Sequence, residues 1–329
     1  MRVYVNALEK EIEERSCDGI FDSVYIGGGT PSVLYRGAIS RILAALYRSY
    51  DIVRPEITVE CNPDSASEAF FDECVSAGVN RFSIGLQTTD DALLACIGRA
   101  HDYGTFLKAY NNAVKYGSVN VDLMMGLPGQ SVGDVALSVK TVCDLAPQHV
   151  SLYALKCEEG TPLYNRGYCP DEDLQAAMYD AAFDSLTGRG YCRYEVSNFA
   201  LKGFESRHNL KYWTMKPYLG FGASAHSFTG DCRMANVNSI EQYVTGKPPA
   251  VIRETERDFK EEYVMLALRT AAGIDLSDYE RRFNVSLIKE KSKELERLVR
   301  GGIVLISDGS LRLADGAFYV MNSVIAELV

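Results

Sequence analysis

Apolar positions along the first two-thirds of the chain follow two rhythms in alternation. Val5, Leu8 and Ile12 stand at helical spacing and predict a helix over 4–14. Short apolar runs predict strands over 24–26, 57–61, 81–85, 120–125, 150–155 and 192–195. Between them, stretches of helical period cover 38–47, 68–76, 90–97, 104–116, 132–145 and 171–189. Strands separated by helices at this spacing predict an α/β fold with a parallel sheet covered by helices. After residue 195 the alternation stops, and the Gly-Lys-Pro-Pro run at 246–249 reads as a linker. Beyond it come helices over 261–270, 276–283 and 287–299, the last ended by Gly301-Gly302. Strands over 304–306 and 311–313 then form a hairpin around Asp308-Gly309. The expected partition is an α/β region over 1–230, a linker over 231–250 and a small winged-helix-like domain over 251–329.

Polar residues sit where the predicted strands end. The first strand runs into Gly27-Gly28-Gly29-Thr30-Pro31-Ser32, and glycine lets a ligand approach the backbone closely. This run is neither a Walker A loop nor a G-x-G-x-x-G fingerprint. Glu60, Gln87 and Asp122 fall at the ends of later strands. In parallel α/β folds ligands bind at these carboxyl ends, so the set reads as one site for a polar ligand.

Composition narrows the function classes. The formal charge of −10 argues against a dedicated nucleic-acid binder, so the C-terminal domain is expected to serve packing or as a lid. No stretch approaches the roughly 18 apolar residues of a membrane span, and the charged opening segment is no signal peptide, so a cytoplasmic location is expected. The nine cysteines are scattered without C-x-x-C spacing and read as reduced thiols. Of the four histidines, His208 in Ser206 to Trp213 and His226 in an apolar, glycine-containing loop draw attention; Tyr212 and Trp213 beside His208 suit either a flat ligand or packing.

The ordered phrases Ile26-Gly27-Gly28-Gly29-Thr30-Pro31-Ser32, Glu60-Cys61-Asn62-Pro63, Ser83-Ile84-Gly85-Leu86-Gln87, Gly98-Arg99-Ala100-His101, Asp122-Leu123-Met124-Met125-Gly126-Leu127-Pro128-Gly129-Gln130 and Glu195-Val196-Ser197-Asn198-Phe199-Ala200 resemble the oxygen-independent coproporphyrinogen III oxidase-like branch of the radical S-adenosylmethionine (SAM) superfamily. The resemblance implies a partial (β/α)6 barrel with SAM across its strand ends. By it Gly28, Gly29 and Thr30 meet the methionine part of SAM, Glu60, Gln87, Arg99 and Asp122 hold its carboxylate and ribose, and Ala154 lies near the adenine. The phrase His208-Asn209-Leu210-Lys211-Tyr212 is similar to the H-N-x-x-Y of the branch's haem chaperones and makes His208 the implied haem contact. Imidazole is a common axial ligand of haem iron.

The family's C-x-x-x-C-x-x-C, which holds a [4Fe-4S] cluster, is absent from this sequence, as is the strand that precedes it, so no residue is expected to ligate the cluster here. The expectation is a haem chaperone whose full-length form uses SAM and the cluster and passes haem to respiratory or other haem proteins near the membrane. The alternatives are a coproporphyrinogen III oxidase and a cluster-free binding module. Without the barrel's first strand, the edge of the strand over 24–26 is expected to be open, which invites a homodimer.

Overall fold

In the computed structural model, which describes residues 1–253 and 255–329, the chain starts with α1 (Arg2–Glu14). Its buried stripe is Val5, Leu8 and Ile12, as the periodicity predicts. Full burial of such a side chain stabilises by about 1.5–3 kcal/mol. Then follow β1 (Ile20–Ile26), α2 (Ala38–Ser49), β2 (Asp51–Cys61), α3 (Glu68–Ser76) and β3 (Arg81–Gln87). Next come α4 (Asp91–Cys96), α5 (Tyr103–Ala113), β4 (Ser118–Met125), α6 (Val132–Leu145) and β5 (His149–Ala154). The series ends with α7 (Pro162–Asn165), α8 (Glu172–Thr187), β6 (Cys192–Arg193), β7 (Asn198–Ala200) and α9 (Arg207–Trp213). Ser67, Asp90, Asp102, Ser131 and Asp171 cap helices by accepting from backbone N–H groups that have no partner inside the helix.

These strands form one curled, seven-stranded half-barrel sheet in the order β1-β2-β3-β4-β5-β7-β6. The pairings from β1 to β5 are parallel and follow chain order. β7 then pairs antiparallel with β5, and β6 antiparallel with β7. The strand expected over 192–195 is therefore shorter, and it is separated from β5 by a three-residue strand too brief to leave a periodic signal.

β2 is longer than its apolar run over 57–61 suggests, because it begins at Asp51. The β1–β2 register jumps from Phe21↔Ile52 to Ser23↔Glu56, with Arg54 at φ 45°. Pro55 falls inside this bulge, where its missing N–H breaks no ladder bond.

All seven residues of β3 are buried. Phe82, Ile84 and Leu86 alternate with Arg81, Ser83, Gly85 and Gln87. Phe82 meets Phe71 of α3 edge-on at 5.1 Å, which marks the helix-facing side. The other set faces the lumen of the half-barrel, where Ser83 bonds to Asp122 of β4.

The described residues divide into two compact units, Met1–Arg193 with Ser197–His208, and Tyr194–Val196 with Asn209–Val329. In the second unit β8 (His226–Phe228), β9 (Cys232–Ala235), α10 (Ile240–Val244) and β10 (Ala250–Arg253) come first. The three strands make an antiparallel sheet, so the stretch 231–250 read as a linker carries a strand and a helix. α11 (Glu256–Ala267), β11 (Ile274–Asp275), α12 (Leu276–Phe283), α13 (Leu287–Glu290) and α14 (Ser292–Arg300) follow. The helix expected over 287–299 thus breaks at Lys291, which no glycine or proline announces. β12 (Val304–Ser307) and β13 (Ser310–Leu313) form the expected hairpin, and α15 (Met321–Leu328) ends the chain's described structure. Asp308 and Gly309 both take positive φ, 51° and 76°, as a tight two-residue hairpin turn requires. Leu268, Ile274, Tyr279, Leu287, Val304 and Leu311 are central to this unit's core.

Phe71→Ala is expected to cost about 3–5 kcal/mol, because the ring is fully buried and packed on the sheet. Ile306→Ala, on the exposed side of the hairpin, is expected to change stability by less than about 0.5 kcal/mol. Urea unfolding of the two variants checks the contrast.

Candidate functional site

β1 delivers the chain into the glycine run, and Glu60 near the end of β2 meets it there. Tyr25 Oη donates to Glu60 Oε1 at 2.7 Å, and the Gly28 N–H donates to Glu60 Oε2 at 3.1 Å. A Cβ on Gly27 would lie 2.5 Å from the Glu60 carboxyl carbon, so only glycine leaves room for that carboxylate. Gly28 takes φ 80°, and the Cβ positions of Gly28 and Gly29 face open space. Burial pushes the Glu60 carboxyl above its ordinary value, against the Tyr25 and Gly28 donors. Burial, then the Glu60 charge, likewise raises the Tyr25 phenol.

Asn62 ties the next strand ends together. Its Nδ2 donates to Thr30 Oγ1 at 3.3 Å, its backbone N–H donates to Ser32 Oγ at 3.2 Å, and its Oδ1 accepts from Arg99 Nη1 at 3.1 Å. Gln87 has φ 75°, and the β3–β4 register shifts between Gly85 and Gln87. A non-glycine residue held in this region at a strand end is a strained position of the kind that collects at functional sites. A Cβ on Gly85 would lie 2.8 Å from Gln87 Nε2, 3.7 Å from Asn62 Oδ1 and 3.9 Å from Arg99 Nη1. Three polar side chains thus converge on a cradle that only glycine keeps clear. Burial lowers the Arg99 guanidinium, while Asp122 and Asp64 act in the opposite direction.

Asp122 is in register with Gly85 across the β3–β4 pair. It accepts from Ser83 Oγ at 3.1 Å and from Asn120 Nδ2 at 2.8 Å. Burial raises its carboxyl above the ordinary value, outweighing these donors and the nearby Arg81 charge. Ala154 ends β5 opposite Met125. A cavity of about 350 Å³ lies alongside, lined among others by Gly98, which precedes Arg99, and Leu155, which follows Ala154.

His208 stands at another place on the same unit, against the edge strand β1. Its Nδ1 lies 3.0 Å from Ser23 Oγ, and its ring stacks on Tyr25 with centroids 5.3 Å apart. The N–H groups of Arg207 and His208 donate to the Glu56 carboxylate at 3.1 and 2.9 Å, which fixes the start of α9 on β2. Tyr25 therefore touches both Glu60 and His208. Sequence reasoning missed Tyr25 and Asn62; the signals were a phenol at an inward strand position and an asparagine held before Pro63 within a matching phrase. His226 is exposed.

The donors of Arg99, Gln87, Asn62 and exposed backbone, with the acceptors Glu60 and Asp122, fit a zwitterionic, hydroxyl-bearing ligand such as SAM. A [4Fe-4S] cluster has no such fit: among the described residues no group of three or more His, Cys, Asp or Glu is placed to hold a metal. Cys61, close in sequence to the site, is buried, with its Sγ 3.6 Å from the Ser83 carbonyl.

Comparison with known proteins agrees with this architecture. The radical SAM superfamily matches residues 3–142, and the HemN C-terminal domain matches residues 255–320. The Heme chaperone HemW of Lactococcus lactis is 33% identical over 336 residues, covering 98% of this chain and 88% of its own. That of Bacillus subtilis is 33% identical over 343 residues, covering 98% and 89%. The mitochondrial Radical S-adenosyl methionine domain-containing protein 1 of Bos taurus is 33% identical over 333 residues, covering 94% and 75%. The fold matches the Escherichia coli coproporphyrinogen III oxidase HemN with a TM-score of 0.85 at 23% identity, over 99% of this chain and 82% of that one. Half-barrel and matched segments together define a protein of radical SAM type with a HemN-type C-terminal region. Within that class, the chain belongs to the HemW family.

Gly27→Ala is expected to push Glu60 off Tyr25 and Gly28 and cost about 1–3 kcal/mol, whereas Gly29→Ala costs less than about 0.5 kcal/mol. Denaturant titration of the pair measures this. Glu60 and Asp122 have raised folded values, so they favour the fold when protonated. Stability of the ligand-free chain is expected to fall as pH rises from the ordinary carboxylate range through these raised values. Asp122→Asn is expected to flatten that slope, read from unfolding midpoints across pH.

Proposed function

We propose that this chain binds haem through His208 and delivers it to haem-accepting proteins, with SAM held at the strand ends. The HemW family membership supports the chaperone reading. The observation that carries it is the seating of His208: Ser23 and Tyr25 hold the imidazole against β1, and Glu56 holds the helix start that bears it. Ligation would use Nε2, the ring nitrogen opposite the Ser23 contact, and a partner on Nδ1 orients a metal-binding imidazole.

For SAM, the Gly28, Gly29 and Thr30 backbone would meet the methionine part and Arg99 its carboxylate. Glu60, Gln87 and Asp122 would take the ammonium and ribose groups, and Ala154 would border the adenine. When bound, SAM supplies an activated sulfonium carrying the adenosyl group. The described cysteines do not form the cluster's ligand set, so the reading contains no step that depends on it. Tyr25 joins the two regions, because its ring supports His208 while its hydroxyl holds Glu60. Haem-accepting proteins, respiratory ones among them, are the partners in this reading. Among the described residues no helix is long and apolar enough to cross a membrane.

Haemin titration followed in the Soret band tests the proposal. His208→Ala is expected to weaken binding at least about 10-fold, roughly 1.4 kcal/mol, and to change the spectrum. Ser23→Ala, which removes one of the contacts on the ring, is expected to give a smaller loss. Unchanged affinity and spectrum in His208→Ala would remove His208 from the site.

A further inference from the structure

The lumen of the half-barrel holds a buried arginine two of whose nitrogens find no hydrogen-bond partner among the described residues. Arg81 opens β3 and is only 4% exposed. Its Nε and Nη2 have no hydrogen-bond partner among the described residues. Thr58, its register partner on β2, is fully buried, and its Oγ1 is also without a partner. Arg81 shares its face of β3 with Ser83, which bonds Asp122, and its charge is felt by Tyr25, Asp122 and His149. The side chain therefore points into the lumen.

Asp122 acts on it through space, but among the described residues no carboxylate meets it in an ion pair or hydrogen bond. The Asp122 carboxylate is engaged by Ser83, Asn120 and Ser151, and Glu60 by Tyr25 and Gly28. His149 Nδ1 lies 2.6 Å from Asn120 Oδ1, an acceptor, so Nδ1 carries the proton. Burial, then the Arg81 charge, lowers the His149 value well below the ordinary one, so the ring adds no second positive charge beside Arg81.

Burying a guanidinium without an acceptor is costly, and an apolar side chain of the same length would avoid the cost. The unused donors are a planar fork and one hydroxyl in the same register row. That geometry suits a two-oxygen anion better than a single water, because a guanidinium binds a carboxylate through two parallel bonds.

We propose that Arg81 and Thr58 form a carboxylate-binding site in the lumen. The same register row passes from Tyr25 through Thr58 to Arg81, two strand spacings or roughly 10 Å, and Tyr25 carries His208 on its ring. A macrocycle ligated at His208 beside Tyr25 would lay a propionate arm along this row towards Arg81. The carboxylate taken up is then a haem propionate, an assignment that rests on the haem reading, whereas the carboxylate site itself does not.

The test has two arms on the full chain. In the first, thermal unfolding is followed in sodium propionate against sodium chloride of equal ionic strength. Propionate is expected to raise the midpoint of the wild type and leave Arg81→Met at its chloride value. Circular dichroism checks that Arg81→Met folds, and removal of the buried charge is expected to keep its basal midpoint at or above the wild type's. In the second arm, haem and haem dimethyl ester, which has no carboxylate, are titrated into both proteins. The wild type is expected to prefer haem at least about 10-fold, and Arg81→Met to lose that preference while keeping the His208-dependent spectrum. Thr58→Val is expected to fall between them. A propionate effect without any haem binding would keep the site and remove the haem reading. Haem binding through His208 with equal affinity for the diester, and no propionate effect, would leave the haem reading standing and overturn the site as one that holds buried water only.

Discussion

The strand ends are organised by the Glu60 carboxylate. It occupies the space that a Cβ at Gly27 would fill, and it takes one donor from the β1 side chain Tyr25 and one from the Gly28 backbone. One side chain of β2 thereby cross-ties a neighbouring strand to the loop that follows it. Because the carboxylate is partly desolvated, it depends on these two donors, and because they are fixed, so is the open course of the glycine run. The same contact sets the Tyr25 ring where His208 can stack on it.

A second constraint is the split character of the sheet. β3 is buried on both faces, yet one face is apolar and the other carries Arg81, Ser83 and Gln87. A polar lumen inside a buried sheet requires an internal account of hydrogen bonds, and most of it closes: Asn120 serves Ser83, Asp122, His149 and Ser151 together. The places where it stays open are local, which is what gives Arg81 and Thr58 their significance.

Much of this was legible from the chain alone. β3, β4 and β5 have apolar runs that survive in three dimensions, and the candidate residues Glu60, Gln87, Arg99 and Asp122 fall in phrases with a recognisable order. Arg99, Gln87 and Asn62 do converge, around Gly85. What escaped has physical reasons. The first half of β2 is masked by charged residues and by a proline that a bulge accommodates. β7 is three residues long, too short for any period. Tyr25, Asn62 and Arg81 gain their roles from cross-strand register, and a sequence displays only neighbours along the chain. The break at Lys291 likewise leaves the helical period on either side intact.

The sheet order bears on how the protein is made. From β1 to β5 each strand pairs with the one synthesised just before it, so every parallel ladder closes over a short loop of chain. A ribosome releasing this sequence would present the strands in the order in which they dock. The charged lumen is then lined layer by layer. Asp122 arrives only after Ser83, its donor on β3, is in place, and Asn120 precedes it on its own strand. Two of the groups that hold Asp122 are therefore present when its strand docks, and Ser151 on β5, the next strand to arrive, completes the set.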